Sequence, residues 1–553
     1  MTGRSGIEGR GAVVRQALRN PDLRRALAAY LLFNVGEWAT WIGLLVWGYG
    51  VDGVRGASLI ALVQLVPSAL LAAPVAALMG RLPRGRALTL GYAAQSIGYF
   101  AVGLALVTDA PIVVVGLAAT VSAITVTLTR PTHNALLPEI SRTTGDLTAG
   151  NAASGLLEAV ATFLGPLTSG LILAVWGAGG VLLTMAGCSA LSVLLTARLV
   201  TLAPRRAVVR RAANGRTDGA LRIVLRNPAA RLMSLLIAAE YALVGMMDIL
   251  LVVLALDVLD MSDAGPGILY SAVGVGGIVG AALTFFLVGR PGLASPLLVG
   301  ALCAGIAFAV AGQAVAPLAA LLLVAVSGAG KLFYDVASRT FIQRLLPDHL
   351  LTAMFGLQEA FMMTGCALGA LAAPALVAAF GTKGAFVAAG CFLPMIVVVS
   401  YGMLRRLDVG AGVPADVLSL LLKVPILAVL APRIVERMAR DAVADQVEAS
   451  RTIVRQGDIG SLFYCIASGH VSVDIDGSHI RQLGPGDWFG EIALLRDVPR
   501  TASVTALTNV SLWGVDRESF LASVTAVPRA VELAQARIRD DYLQAAASFR
   551  HQW

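Results

Sequence analysis

The sequence predicts an α-helical membrane protein of about twelve spans in two six-helix halves, followed by a C-terminal β jelly-roll barrel with flanking helices. Three observations predict this. Of the 553 residues, 57% are hydrophobic and 14% are charged, whereas soluble domains carry about 25% charged residues. Apolar blocks recur as far as residue 404, and short alternating strands follow from Thr452. No single soluble core buries so much apolar surface, so the first part requires lipid.

Each predicted span is an apolar block close to the length that crosses a bilayer, about 20 residues. The first half holds spans at 29–50, 57–79, 88–108, 112–136, 151–175 and 181–200. The second half holds spans at 232–256, 267–288, 296–312, 317–338, 353–379 and 384–404. Glycine and proline inside these blocks are tolerated where neighbouring helices pack closely.

Basic residues fix the orientation. Arginines crowd the N-terminal tail and the stretch from Arg198 to Arg231, whereas the alternate loops hold mainly aspartates. Cytoplasmic loops carry the excess of Lys and Arg, so both termini are expected in the cytoplasm. The helical part is expected in a bacterial inner (plasma) membrane. The net charge of +8 therefore reflects topology. Nucleic-acid binding is not expected, since no basic face with interleaved aromatics appears.

The predicted domain order follows from the change of composition after Leu407. It comprises a cytoplasmic tail (1–28), an N-terminal six-helix bundle (29–200), a cytoplasmic basic interhalf loop (201–231), a C-terminal six-helix bundle (232–404), a linker (405–415) and a C-terminal domain (416–553). In that last domain, helices are expected over 416–449 and 517–548, on either side of the strands. The five cysteines and five histidines show no disulfide or metal-site spacing.

The two halves repeat each other. LRNPDLRRALAAYLL (18–32) is matched by LRNPAARLMSLLIAA (225–239), and TRPTHNALLPE (129–139) by SRTFIQRLLPD (338–348). GLLEA (155–159) is matched by GLQEA (356–360) in the same order. Duplicated halves of six spans are typical of major facilitator transporters, and residues 15–406 resemble that superfamily, particularly its bacterial drug-efflux-like branches. The resemblance implies the major facilitator fold, with substrate bound between the halves.

A second resemblance lies in the loop GRLPRGR (80–86), which is similar to the family signature G-x-x-x-D-R-x-G-R-R. Gly80 stands where the acidic residue is expected, while the cationic part is kept. We expect paired gating charges at the cytoplasmic span ends, which hold the halves in one state. The candidates are Arg81, Arg84, Arg130, Glu158, Arg339 and Glu359.

Carboxylates inside spans are costly and are usually functional or paired. Glu37 lies in the first span, and Glu240 and Asp248 share one face of the seventh. The first and seventh helices line the cavity in the family, so these three are candidates for binding a cation or carrying protons during transport. Neutralising nearby arginines is the alternative. Lys331 and Asp335, four residues apart, are expected to pair.

The segment GDWFGEIALLRDVPRTASV (486–504) offers what a cyclic phosphate needs. A short helix from Gly490 supplies backbone N–H groups, Arg500 supplies a bidentate cation, and Glu491 accepts from a ribose hydroxyl. The segment resembles the phosphate-binding cassette of cyclic-nucleotide-binding domains. The wider resemblance to these domains covers about 416–548, so residues 416–553 are expected to form a cyclic-nucleotide-binding domain. The resemblance implies a site of Phe489, Gly490, Glu491, Ile492, Ala493, Arg500, Thr501 and Ala502.

We therefore expect a secondary active transporter of the major facilitator type, which couples export of a small amphiphilic molecule to proton entry and is regulated allosterically by cytoplasmic cyclic nucleotide. cAMP is favoured, although Thr501 after the arginine also occurs in cGMP-selective members. The base is expected beneath the last helix, near Arg537, Tyr542 or Phe549. The alternative is a nucleotide sensor that does not transport. No enzyme activity and no metal are expected, and both a monomer and a dimer fit the sequence.

Overall fold

The computed structural model describes residues 20–79, 81–141, 144–201, 224, 226–287, 292–346, 348–411, 415–430, 432–525, 527 and 529–536. The chain forms two compact units that divide between Leu407 and Asp408. The first unit is helical, and the second combines helices with two β-sheets.

Nine helices of the described residues are long and apolar enough to cross a membrane, judged by length and composition. They are α1 (Pro21–Met79), α2 (Arg84–Val107), α3 (Ile112–Ile140), α4 (Thr144–Thr196), α5 (Pro228–Val253), α6 (Gly265–Leu283), α7 (Ala294–Ala311), α8 (Pro317–Leu345) and α9 (Asp348–Ala411).

Three of these helices are broken by residues with non-helical backbone angles. The breaks lie at Asp52 and Gly53 in α1, at Gly177 in α4 and at Gly381 in α9. All three glycines have a positive φ, which a residue with a Cβ adopts at a steric cost. Each break falls where the sequence predicts a loop between two spans, so each of the three helices consists of two segments.

The repeated Asn-Pro pair starts a helix in both halves. Asn227 caps α5, because its side-chain oxygen accepts from the backbone N–H groups of Ala229 and Ala230 at 2.9 and 3.1 Å. Asn20 accepts from the N–H of Asp22 at 3.2 Å at the start of α1. Proline then occupies the first helical position, where no N–H donor is needed. The two copies of the repeated sequence therefore start their helices with the same capping chemistry.

The two halves of the helical unit meet through small residues. A Cβ added to Gly267 on α6 would lie 2.7 Å from the Cα of Gly170 on α4. Such close backbone approach between helices is possible only where side chains are absent. The phenol of Tyr49 also donates to Asp257, and Ser58 Oγ donates to the Ala370 carbonyl at 2.5 Å. These contacts join the first half of the sequence to the second.

The outer surface of this unit is apolar. Phe285 and Val399 expose 82% and 81% of their area, and Leu194 exposes 72%. Exposed large apolar side chains on this scale are typical of a surface that contacts a membrane or another protein.

The second unit begins with three helices, α10 (Ala415–Leu421), α11 (Pro425–Ala428) and α12 (Pro432–Asp441). Eight strands follow: β1 (Val443–Val447), β2 (Thr452–Val454), β3 (Leu462–Ser468), β4 (Val471–Ile475), β5 (Ser478–Leu483), β6 (Trp488–Phe489), β7 (Ser503–Ala506) and β8 (Val510–Asp516). Two more helices are α13 (Glu491–Arg496) and α14 (Arg517–Thr525).

The strands form two four-stranded antiparallel sheets with orders β1-β8-β3-β6 and β2-β7-β4-β5. One apolar core contains residues of both sheets, including Ile466, Val471 and Leu512. A second core joins the helices to the first sheet, where Phe463 stacks on Phe520 with 4.6 Å between ring centroids. Two four-stranded sheets are the arrangement of a jelly roll.

One prediction for this unit was wrong in part. The leading helical region was expected to continue to residue 449, but Val443–Val447 forms a strand that pairs with Val510–Gly514 of β8. Hydrogen bonds to β8 pair the backbone groups on one side of this edge strand, and such pairing with a distant segment cannot be read from the local sequence. Of the stretch 517–548 predicted as helical, Arg517–Thr525 and 529–536 are helical, but residue 527 between them is not. Residues after 536 lie outside the described residues.

Candidate functional site

The site in the second unit is built around the short helix α13. Gly490 precedes the helix with a φ of 96°, and Asp497 ends it with a φ of 54°. Because both flanking residues are left-handed, the helix is limited to six residues. The first-turn amides of a helix have no acceptor within it, so those of Ile492 and Ala493 are placed to bond to an anion.

Arg500 reaches this helix from the following loop. Its Nη1 donates to the Gly490 carbonyl at 3.0 Å, and its Nη2 donates to the Leu462 carbonyl at 2.7 Å. A guanidinium has five N–H donors, so these two bonds leave three for another acceptor. The side chain is 7% exposed, and burial lowers its pKa, although the nearby Tyr464 and Glu491 oppose this. Two hydrogen bonds thus hold the guanidinium in place, and three of its N–H groups remain to bind a ligand.

Two glycines make room for this guanidinium. A Cβ at Gly460 would lie 2.7 Å from both Cζ and Nε of Arg500, and a Cβ at Gly490 would lie 2.5 Å from Nη1. The loop that carries Gly460 is held in place by backbone bonds to the arginine itself. The Arg500 N–H donates to the Asp458 carbonyl at 2.8 Å, and the Gly457 N–H donates to the Arg500 carbonyl at 2.9 Å.

The structure brings all eight predicted nucleotide-site residues to one cavity of about 60 Å³. They are Phe489, Gly490, Glu491, Ile492, Ala493, Arg500, Thr501 and Ala502. Glu491 is 2% exposed, so its carboxylate belongs to the interior of the site. The residues expected to cap the base, near 537–549, lie outside the described residues.

Sequence reasoning missed four residues of the cavity wall and the glycine beneath the arginine. Val454, Val473 and Val504 add apolar surface, and Arg481 adds a second cation. These four side chains come from strands β2, β4, β5 and β7. Strand alternation could have placed Arg481 on one face of its strand, but which face meets the site depends on the pairing of distant strands.

A larger cavity lies within the helical unit, with a volume of about 400 Å³. Its walls come from both halves, and the first and seventh predicted spans both contribute, as expected. Glu37, Trp38 and Trp41 represent the first, and Tyr241 and Asp248 represent the seventh. Glu240, predicted alongside them, does not line the cavity; it is 1% exposed and pairs with Lys331 at 4.0 Å.

The predicted charged pairs in the first half converge on Arg130. Its Nη2 lies 2.8 Å from Glu37 Oε2, and its Nε lies 3.9 Å from Glu158 Oε1. Tyr30 donates to the same Glu158 oxygen and stacks on the buried His133, with 3.8 Å between ring centroids. One arginine therefore contacts one carboxylate of the cavity and one of α4.

The remaining gating candidates have separate surroundings. Arg84 pairs with Glu139 at 3.1 Å, and Arg81 is exposed. Arg339 binds Asp335 at 3.1 Å, four residues earlier on α8, so the predicted pairing of Asp335 with Lys331 is replaced by two other pairs. The side chain of Glu359 and the Gly80 position lie outside the described residues.

Residues 444–525 match the family model described as the cyclic nucleotide-binding domain. Among similar solved structures is cAMP-bound PfPKA-R (141–441), with 20% identity, 26% of this chain and 52% of that chain covered, and a TM-score of 0.23. The regulatory domain of Toxoplasma gondii PKA with cAMP has 30% identity, coverages of 21% and 46%, and a TM-score of 0.20. PKAR CBD2 bound to Sp-2Cl-cAMPS has 23% identity, coverages of 23% and 87%, and a TM-score of 0.21.

This chain spans about half of the length of the first two of these structures, at 52% and 46%. The family match covers the strands and the helix that build the smaller cavity. Within the C-terminal part of the chain, residues 444–525 are therefore similar to a cyclic nucleotide-binding domain.

Proposed function

We propose that the smaller cavity binds a cyclic nucleotide, with the phosphate at Arg500 and the ribose at Glu491. The observation that carries this is the guanidinium held by two carbonyls at 3.0 and 2.7 Å beside a buried carboxylate. Its three remaining N–H donors suit the exocyclic oxygens of a phosphodiester. Glu491 accepts from a 2′-hydroxyl, a group that deoxynucleotides lack.

cAMP is the nucleotide we favour, since three valines give the purine apolar walls. cGMP is the second candidate, because two lining residues suit guanine. The Thr501 hydroxyl and the Arg481 guanidinium both line the cavity, and an arginine forms bidentate hydrogen bonds to guanine O6 and N7. Competition between the two nucleotides for the purified chain distinguishes them.

Calorimetry of the full chain in detergent tests the assignment. Arg500→Ala removes one partner of a charge-assisted pair, which costs about 2–5 kcal/mol, so affinity for cAMP and cGMP should fall by roughly 30-fold or more. Arg451→Ala is the matched control, because Arg451 is 75% exposed and does not line the cavity. Equal affinities for the parent chain and Arg500→Ala would refute the proposal.

For the helical unit we infer a transporter of the major facilitator type, embedded in the plasma membrane with both termini in the cytoplasm. The supporting observation is one cavity shared by both halves, with charged side chains in its wall. Its volume of about 400 Å³ is in the range of drug-sized ligand sites. Glu37 and Asp248 are the candidates for coupling export of an amphiphile to proton entry.

We further propose that nucleotide binding regulates transport. Allosteric coupling of about 1–3 kcal/mol corresponds to roughly 5- to 150-fold in affinity. The test is flux of cationic, neutral and anionic dyes in proteoliposomes, with and without saturating nucleotide on the side of the C-terminal domain. A flux that is unchanged by an imposed pH gradient would refute proton coupling. A flux that is unchanged by saturating nucleotide would refute regulation. Nucleotide binding with no flux of any dye would favour the sensor without transport.

A further inference from the structure

One glutamine side chain joins the loop 455–461, which lies between β2 and β3, to the turn of the β4–β5 hairpin. The Gln456 Nε2 group donates to Asp476 Oδ1 at 2.9 Å, and the Asp476 backbone N–H donates to Gln456 Oε1 at 2.9 Å. The Gln456 backbone N–H also donates to Ser503 Oγ at 3.0 Å. A side-chain amide offers a donor and an acceptor at once, so it suits both groups of Asp476.

The same loop, which we call the backing loop, lies directly behind the guanidinium of Arg500. Gly457 donates its N–H to the Arg500 carbonyl at 2.9 Å, and the Asp458 carbonyl accepts from the Arg500 N–H at 2.8 Å. Gly460 is so close to the guanidinium that a Cβ there would lie 2.7 Å from its Cζ. A displacement of the backing loop would therefore shift the backbone of Arg500 and remove the support behind its side chain.

The other end of this link is a tight turn on an edge hairpin. Asp476 and Gly477 have φ values of 50° and 79°, and two successive left-handed residues are typical of a two-residue hairpin turn. Strand β5 is the last strand of its sheet and is paired with β4. This hairpin contributes Val473 and Arg481 to the wall of the nucleotide cavity. Gln456 thus connects the loop behind Arg500 to a hairpin that carries two other wall residues.

We propose that Gln456 is a positioning residue of the nucleotide site, which holds the backing loop, and through it the Arg500 guanidinium, in place against the β4–β5 hairpin. This inference rests on the nucleotide site proposed above and adds a residue from outside its cavity. Gln456 does not itself line that cavity, so it acts on a bound nucleotide through Arg500. Gln456 and Asp476 are both exposed, and water competes for their hydrogen bonds, so the effect on affinity is modest.

Calorimetry of the purified full chain in detergent, with cAMP and with cGMP, tests this role. Gln456→Glu replaces the amide donor by a carboxylate that faces Asp476, so nucleotide affinity should fall by about 3- to 10-fold. Adding Asp476→Asn supplies an amide donor to that carboxylate, and the double variant should regain the affinity of the parent chain. All variants are compared well below their thermal midpoints, so that each of them is folded.

A second comparison separates positioning from a general loosening of the barrel. In the Arg500→Lys chain, the same Gln456→Glu change should cost less affinity, because a lysine has no guanidinium to rest against Gly460. A change that acts independently of residue 500 would cost the same in both chains, since independent effects add.

Gln482→Glu is the matched control variant. It makes the same chemical change at an exposed position of β5 that does not line the cavity, so it should bind nucleotide like the parent chain. An equal loss in this control, a loss that Asp476→Asn does not rescue, or an equal loss in the Arg500→Lys chain would overturn the inference. Nucleotide binding that survives Arg500→Ala would refute the proposed site itself. Loss of binding in Arg500→Ala with unchanged affinity in Gln456→Glu would refute only the role of Gln456.

Discussion

The glycine beneath Arg500 allows a sharp test of how the nucleotide site is positioned. Gly460 does not have a left-handed backbone, so alanine fits the local conformation. Its added Cβ would nevertheless lie 2.7 Å from Cζ and Nε of Arg500. Gly460→Ala should therefore displace the guanidinium and leave the fold of the barrel in place.

The size of the effect follows from the displaced hydrogen bonds. Nonbonded heavy atoms approach to about 3.5 Å, so relieving a 2.7 Å contact moves the guanidinium by about 0.8 Å. Its bonds to the carbonyls of Gly490 and Leu462, at 3.0 and 2.7 Å, cannot both persist after such a shift. Hydrogen bonds to charged groups contribute about 1.5–3 kcal/mol, so nucleotide affinity should fall by roughly 10- to 100-fold.

Calorimetric titration of the full chain with cAMP and with cGMP measures this loss. Ile459→Ala is the control, because the neighbouring Ile459 side chain is 90% exposed and its truncation should leave affinity unchanged. The thermal midpoint of Gly460→Ala should stay close to that of the parent chain. Unaltered affinity would refute the positioning argument, and a large fall in the midpoint would show that the glycine serves folding instead.

Three further predictions concern the described hydrogen bonds. Arg500→Lys keeps the charge but not the planar fork, so we expect nucleotide affinity between those of the parent chain and Arg500→Ala in calorimetry. Asp516 caps α14 by accepting from the Ser519 N–H at 2.9 Å, and hydrogen bonds from Ser519 lower its pKa. The ionised cap stabilises the fold at neutral pH and is lost on protonation, so Asp516→Ala should cost about 1 kcal/mol at pH 7. Scanning calorimetry should show that difference shrinking below about pH 4; a difference that does not change with pH would contradict it. Asn227→Ala should lower the stability of the helical unit by about 1 kcal/mol in thermal unfolding, and no change would contradict the capping of α5.

The nucleotide site could be predicted from sequence because its chemistry is local. Gly490, Glu491 and Arg500 lie within eleven consecutive residues, and one short helix and the loop after it bring them together. Gly460 and Arg481 lie on other segments, and their places follow from the pairing of strands. β1 was predicted as helix for the same reason, since its hydrogen-bonding partner β8 lies more than sixty residues away in the sequence.

In the helical unit, composition predicts the long apolar helices, and the three internal breaks coincide with predicted loops. Ionic partners were harder to predict. The i,i+4 spacing of Lys331 and Asp335 suggests a pair, but each has another partner in the structure. Glu240 on α5 pairs with Lys331 on α8. Helical periodicity predicts contacts within one helix, so it could not predict this pair between two helices. Tyr270, the donor to Asp248, likewise comes from the neighbouring helix α6.

Arg130 and Arg339 occupy equivalent positions in the duplicated halves, yet they have different neighbours. The first contacts Glu37 in the cavity wall, and the second contacts Asp335 on its own helix. The two halves are thus alike in how Asn20 and Asn227 start their helices and differ in the partners of these two arginines. Exchanging the segments 129–139 and 338–348 between the two halves should therefore not be neutral. Arg130 lines the cavity, whereas Arg339 pairs with Asp335 on its own helix.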